Sequence, residues 1–201
     1  MKTTIFIALY LCSMPFFGQD NYIENVSLNC IYEAFNAKNI DIKKELEAYE
    51  TFLIKNSFLN DNSGKSYINF FKKMKEINNI PATRPDSLFL KIVNVFRNSY
   101  SKECVTQKII KEGRFKSLYD FRNTKVYKME EERKKIKEYT HTLFKDYANL
   151  YLTMLDESDY QKQYFKTTIL LSIALGSNME GHEQFTKLLP PEYYTLKKNE
   201  H

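Results

Sequence analysis

With 201 residues the chain is long enough for one domain that buries roughly 70% of its unfolded surface. Gly and Pro are scarce at 5 each while Phe and Tyr supply 15 each, which favours helices over a sandwich or barrel and excludes a disordered chain. Thirty basic side chains against 25 acidic ones leave a net charge of +5, too little for a nucleic-acid footprint unless it gathers on one face.

The first 18 residues stand apart. Lys2 is the only charge before Asp20, Thr4 to Leu11 and Met14 to Phe17 are mostly apolar, and Gly18 precedes Gln19. That pattern predicts a secretory signal peptide over 1–18 and a periplasmic or secreted protein. The apolar stretch is shorter than the roughly 20 residues a transmembrane anchor needs. The ending Phe16-Phe17-Gly18-Gln19 resembles export signals of Bacteroidota bacteria, in which Gln often begins the mature chain, and implies a periplasmic or secreted address. Removing the leader takes away Lys2 alone and leaves 29 basic against 25 acidic residues. Beyond it stand Cys30 and Cys104, an even pair that is either a candidate disulfide in an oxidising compartment, closing about 75 residues, or two buried thiols acting as small hydrophobes.

Helical spacing recurs through the rest. Tyr22 to Ala37 carries Ile23, Val26, Cys30, Ile31 and Ala34 on one face, with Leu28 and Phe35 beside it. Asp41 is the predicted N-cap of a helix whose inward stripe is Ile42, Leu46, Tyr49 and Leu53. Residues 56–65 read as a loop, with Phe58 and Leu59 folding back onto the body. Ser66 starts a helix through Tyr67, Phe70, Phe71, Met74 and Ile77, stopped by the Pro81 to Asp86 connector. Leu88 to Phe96 fits a helix or a lone strand, and the lack of a partner strand favours the helix. Lys102 to Glu112 continues to a stop at Gly113, followed by a short turn over Phe115 to Arg122.

Thr124 to Leu155 is the longest stretch free of Gly and Pro that keeps a helical beat. Val126, Met129, Arg133, Ile136, Thr140, Leu143, Tyr147, Leu150 and Met154 follow at spacings of three and four. As one helix it would run about 48 Å at about 1.5 Å per residue. It is the expected central helix, stabilised at its charged start by Glu130–Lys134 and Glu131–Lys135 pairs. Ser158 and Gln161 form a capping-box signature for a helix through Tyr164 to Leu175, apolar nearly all round and hence the most buried. A short helix over 178–189 ends at Pro190-Pro191, and 190–201 forms an extended tail. The whole predicts an all-α, single-domain bundle of about seven to nine helices over 19–189.

Motifs for chemistry fall short. Gly64-Lys65-Ser66 ends like a phosphate-binding loop, but Leu59 stands where its first Gly belongs. Read as a calcium loop, Asn60 to Gly64 puts Leu59 at the first ligand and Phe70 at the bidentate Glu. His182-Glu183 is followed by Thr186 where a zinc-protease helix needs its second His. No catalytic, metal or cofactor residue is assigned. The tyrosines of the last third, above all Tyr147, Tyr151, Tyr160 and Tyr164, suit an interface or an inter-helix pocket, or else fill the core. The leading expectation is a non-catalytic, protein-binding module of the cell envelope. Its alternatives are a carrier of a small apolar or lipid ligand between the central helix and the Tyr164 to Leu175 helix, and a hydrolase using His141 or His182. No nucleic acid and no transmembrane anchor are expected.

Overall fold

A computed structural model describes residues 19–77, 86–96, 102–136 and 143–176. Among these residues every regular element is helical, as the stripes predict. The helices are α1 (Gln19–Asn36), α2 (Ile42–Lys55), α3 (Gly64–Ile77), α4 (Asp86–Phe96), α5 (Lys102–Lys111), α6 (Phe115–Phe121), α7 (Lys125–Arg133), α8 (Leu143–Met154) and α9 (Gln163–Gly176). A 3₁₀ turn, Asp159–Gln161, precedes α9. The expected leader 1–18, the helix over 178–189, the tail 190–201 and all three histidines lie outside the described residues.

Local chemistry accounts for most boundaries. Asp41 accepts the Lys44 N–H at 3.1 Å, and Ile42, Leu46, Tyr49 and Leu53 of α2 are all buried, as their spacing requires. Gly113, at φ +67°, ends α5; the Arg114 N–H returns to the Ile109 carbonyl at 3.1 Å. Thr124 is extended and its hydroxyl accepts the Tyr127 N–H at 3.2 Å, opening α7. Leu88 to Phe96, expected as a helix rather than a lone strand, lies in α4.

The expected central helix over 124–155 is two helices. Helix α7 stops at Arg133, residues 134–136 turn, and α8 begins at Leu143 and packs against α7. The physical reason lies in the first half of the stripe, where only Val126 and Met129 of α7 reach the core. A continuous helix would carry the charged 130–138 run away from the body, whereas folding back buries α8. On α8 Leu150 is buried as the stripe expects, together with Ala148, Tyr151 and, just past its end, Leu155, while Tyr147 and Met154 are only partly so. The charged pairs differ as well. They form at i,i+3, joining Glu130 to Arg133, Glu131 to Lys134 and Glu132 to Lys135.

The centre belongs to α9. Phe165, Ile169, Leu170, Leu171, Ile173 and Ala174 are buried, and α9 packs against α1, α2, α4 and α8. Its apolar circumference, legible in the sequence, is what permits neighbours on every side. Beside it α3 lies along α8, and α1 carries α5 and α6 on its other flank. The Cys30–Cys104 disulfide, with Cα atoms 6.1 Å apart, fastens α5 to α1. No helix among the described residues is long and apolar enough to cross a membrane.

Candidate functional site

The four tyrosines singled out from sequence gather around α8 and the start of α9. Tyr151 is buried, its hydroxyl 2.6 Å from Ser172 Oγ and its ring 5.1 Å from that of Phe71. Tyr160 donates to the Tyr151 carbonyl at 3.1 Å and stacks on Tyr67 at 6.1 Å. Tyr164 is buried edge-on to Phe165, and Tyr147 stacks on Tyr151 at 6.4 Å from a partly buried position. Three of the four rings are therefore interior, and the Tyr151 and Tyr160 hydroxyls bond within the fold. Between α8 and α9, the place considered for an apolar ligand, Tyr151 meets Ser172 directly. Burial raises the Tyr151 and Tyr160 phenol pKa values; for Tyr160 the charge of Asp159 adds to this.

Arg133, at the end of α7, interacts electrostatically with three of these tyrosines. Its guanidinium pairs with Glu130 at 2.7 Å. Burial works against its charge, yet Glu130 and the phenols of Tyr147, Tyr151 and Tyr164 hold its pKa above the ordinary value. The cation at this stripe position is therefore matched by a carboxylate of its own helix.

Two ionic knots lie deeper, and periodicity revealed neither. Asp159, only 1% exposed, takes Lys125 of α7 on one oxygen and Lys162 at 2.9 Å on the other. Lys162 also reaches Glu24 of α1 at 3.4 Å, and Lys125 reaches Asp156 at 3.3 Å. Asp156 in turn accepts the Ser158 N–H at 3.0 Å, its hydroxyl at 2.6 Å and the Asp159 N–H at 3.2 Å. The predicted capping box consequently does not form. The Ser158 hydroxyl is engaged by Asp156, the chain makes a 3₁₀ turn that points Asp159 inward, and α9 starts only at Gln163. In the second knot Glu50 Oε1 receives both Lys166 at 2.7 Å and the Tyr67 hydroxyl at 2.7 Å. Burial and the Glu50 charge together drive the Tyr67 phenol far up.

The Gly64-Lys65-Ser66 segment has a packing role. Helix α3 begins at Gly64, two residues before the predicted start, because Ser63 Oγ accepts the Ser66 N–H at 3.2 Å. Ser66 Oγ, buried, accepts the Asn60 and Asp61 N–H groups at 2.8 and 3.3 Å. A side chain at Gly64 would run into the Glu157 carbonyl, so the glycine lets the two loops touch. Leu59 is buried and Phe58 packs against the core, as expected from sequence.

The outer side of α6 differs from all of this. Tyr119 is 80% exposed, with exposed Lys116 one turn before it and exposed Arg122 one turn after. Leu118 and Phe121 hold the opposite side of α6 to the body. On the neighbouring α5, Ile110 is 47% exposed and Lys111 is exposed beside it. This face was not foreseen. Its signal was Tyr119 off the apolar side of a short helix with a cation three residues away on each side.

Among the described residues no group of three or more His, Cys, Asp or Glu side chains is placed to hold a metal ion. Comparison with protein-family models, with characterised proteins and with solved structures finds no match for this chain.

Proposed function

We propose that the protein is an exported, non-catalytic helical module of the cell envelope that binds another protein. The observation that carries this reading is Tyr119: a large aromatic, 80% exposed, on a helix whose other side is anchored to the body. Tyrosine combines apolar area with a polar tip and is enriched where proteins meet. Export rests on the basic, apolar and small-residue pattern of 1–18.

The test has two parts. The full chain should appear in the envelope or the medium with its N-terminus at Gln19. A photo-crosslinking residue in place of Tyr119 should then give a discrete adduct in envelope extract that excess unlabelled protein abolishes. Retention in the cytoplasm with the leader attached would overturn the address. The absence of any competed adduct, from this position or from others spread over the surface, would overturn the binding role.

A further inference from the structure

The charge of the chain is not evenly spread. Residues 102–128 hold eight Lys and Arg against three Asp and Glu, a surplus of +5 that equals the net charge of the whole sequence. Within that segment some cations are already committed. Lys108 pairs with Glu33, Lys125 with Asp156 and Asp159, and Arg114 with Glu112 at 3.7 Å while lying over the Tyr22 ring. Lys111, Lys116, Arg122 and Lys128 are exposed and have no carboxylate partner among the described residues. These four cations face solvent, and two of them, Lys116 and Arg122, stand one turn to either side of Tyr119.

We propose that the Lys116–Tyr119 face of α6, with Arg122 just past its end, docks onto an acidic surface of a partner protein, with Tyr119 as the apolar anchor. The inference rests on the binding role proposed above and names its surface and the chemistry of its partner. On a helix, positions three apart are neighbours, so the two cations flank the ring. Carboxylates on the partner would meet Lys116 and Arg122, and Arg can hold one of them bidentately. The phenol fills the space between them.

The geometry favours a protein over a lipid surface. A helix that lies in a membrane interface needs a continuous apolar face turned outward. Helix α6 has seven residues, and its apolar side chains Leu118 and Phe121 are turned into the body. One aromatic ring between cations is instead the composition of a protein contact, where Tyr and Arg are enriched. The face is also fixed in space. The α5–α6 hairpin is tied to α1 by the Cys30–Cys104 disulfide, by Lys108 on Glu33 and by Tyr22 donating to Glu112 at 2.8 Å.

Binding of the mature chain to a poly-glutamate peptide, to a poly-glutamine peptide and to phosphatidylglycerol vesicles tests the assignment. The expected result is salt-sensitive binding to poly-glutamate alone. Lys116→Glu with Arg122→Glu should weaken it by about tenfold or more, since reversed charges now repel the partner. Tyr119→Ala should weaken it by roughly fivefold, an effect that a purely electrostatic attachment would not show. Lys43→Glu with Lys44→Glu, the same charge change on exposed positions of α2, should stay within about twofold of wild type. Equal loss in that control, indifference to Tyr119→Ala, binding to vesicles alone, or no binding to any probe would each overturn the proposal. Thermal melts of every variant establish that it is folded. Repeating the envelope crosslinking with the Lys116→Glu and Arg122→Glu chain, the crosslinker placed at several positions, separates the two claims. A competed adduct that persists sinks this surface but not the binding role, and no adduct even from the wild-type chain sinks the role itself.

Discussion

Lys166 of α9 and Glu50 of α2 meet at 2.7 Å with side chains only 17% and 12% exposed, and the same carboxylate oxygen accepts the Tyr67 hydroxyl of α3. Three helices are thus joined at one oxygen. Removing the cation leaves a nearly buried carboxylate with a single neutral donor. Lys166→Met should therefore cost about 3 kcal/mol of unfolding free energy. Tyr67→Phe, which removes one hydrogen bond to a charged group, should cost about 2 kcal/mol. Urea unfolding followed by far-UV circular dichroism measures both. Glu50→Gln in the Lys166→Met background should recover part of the loss, because the unpaired charge is gone.

The knot at Asp159 predicts a pH dependence with a definite sign. The Ser158 hydrogen bond, followed by Lys125, holds the Asp156 carboxyl well below the usual carboxylate range. A carboxylate depressed in the folded state stabilises fully above its unfolded pKa, about 3.9, and loses that contribution as the pH falls below it. Burial works against the charges on Lys125 and Lys162, but Asp159 with Asp156 for the first, and with Glu24 for the second, raises both above the ordinary lysine value. Groups raised in the folded state stabilise fully below their unfolded pKa, about 10.4, and lose the contribution as the pH rises through the folded value. Stability should therefore be flat through neutral pH, fall below about pH 4 and fall again above about pH 10. Asp156→Asn should flatten the acid limb in a urea-midpoint series across pH.

Gly64→Ala tests whether the loop around Gly64 is built for close approach. Alanine in a helix is ordinarily better than glycine by about 1 kcal/mol. Here its Cβ would collide with the Glu157 backbone, which cannot swing aside as a side-chain tip would. A net loss of about 2 kcal/mol is expected, because the two loops must separate. A melting temperature equal to or above wild type would disprove the contact.

The disulfide closes 74 residues of sequence separation and fixes α5 to α1. Replacing both Cys30 and Cys104 by Ala should lower the unfolding free energy by about 2–4 kcal/mol. Free-thiol titration of the denatured, unreduced mature chain should find neither cysteine reactive. Because the pin also orients the α5–α6 hairpin, the double variant should bind poly-glutamate more weakly even where it remains folded.

Much of this protein is local and was therefore legible residue by residue. The stripe Ile42, Leu46, Tyr49 and Leu53, the Asp41 cap, the Gly113 stop and the all-round apolar α9 each follow from side chains within a few positions of one another. Those are interactions a linear pattern can record. The break after Arg133 was not of that kind. Spacings of three and four remain consistent with a helix across 124–155 whether or not the chain folds back. Only the packing of α8 against α3 and α7 decides between the two.

The sequence by itself determined that helices form, which faces they bury, and that two cysteines were available to pair. Tertiary structure alone decided that Asp159 sits between Lys125 and Lys162, that Gly64 faces Glu157, and that Tyr151 and Tyr160 are buried while Tyr119 is not. The physical reason is range. Helix formation and amphipathicity depend on neighbours one turn away. Which charge is desolvated, and which tyrosine is covered, depends on elements tens of residues distant, whose arrival leaves no periodic mark in the chain.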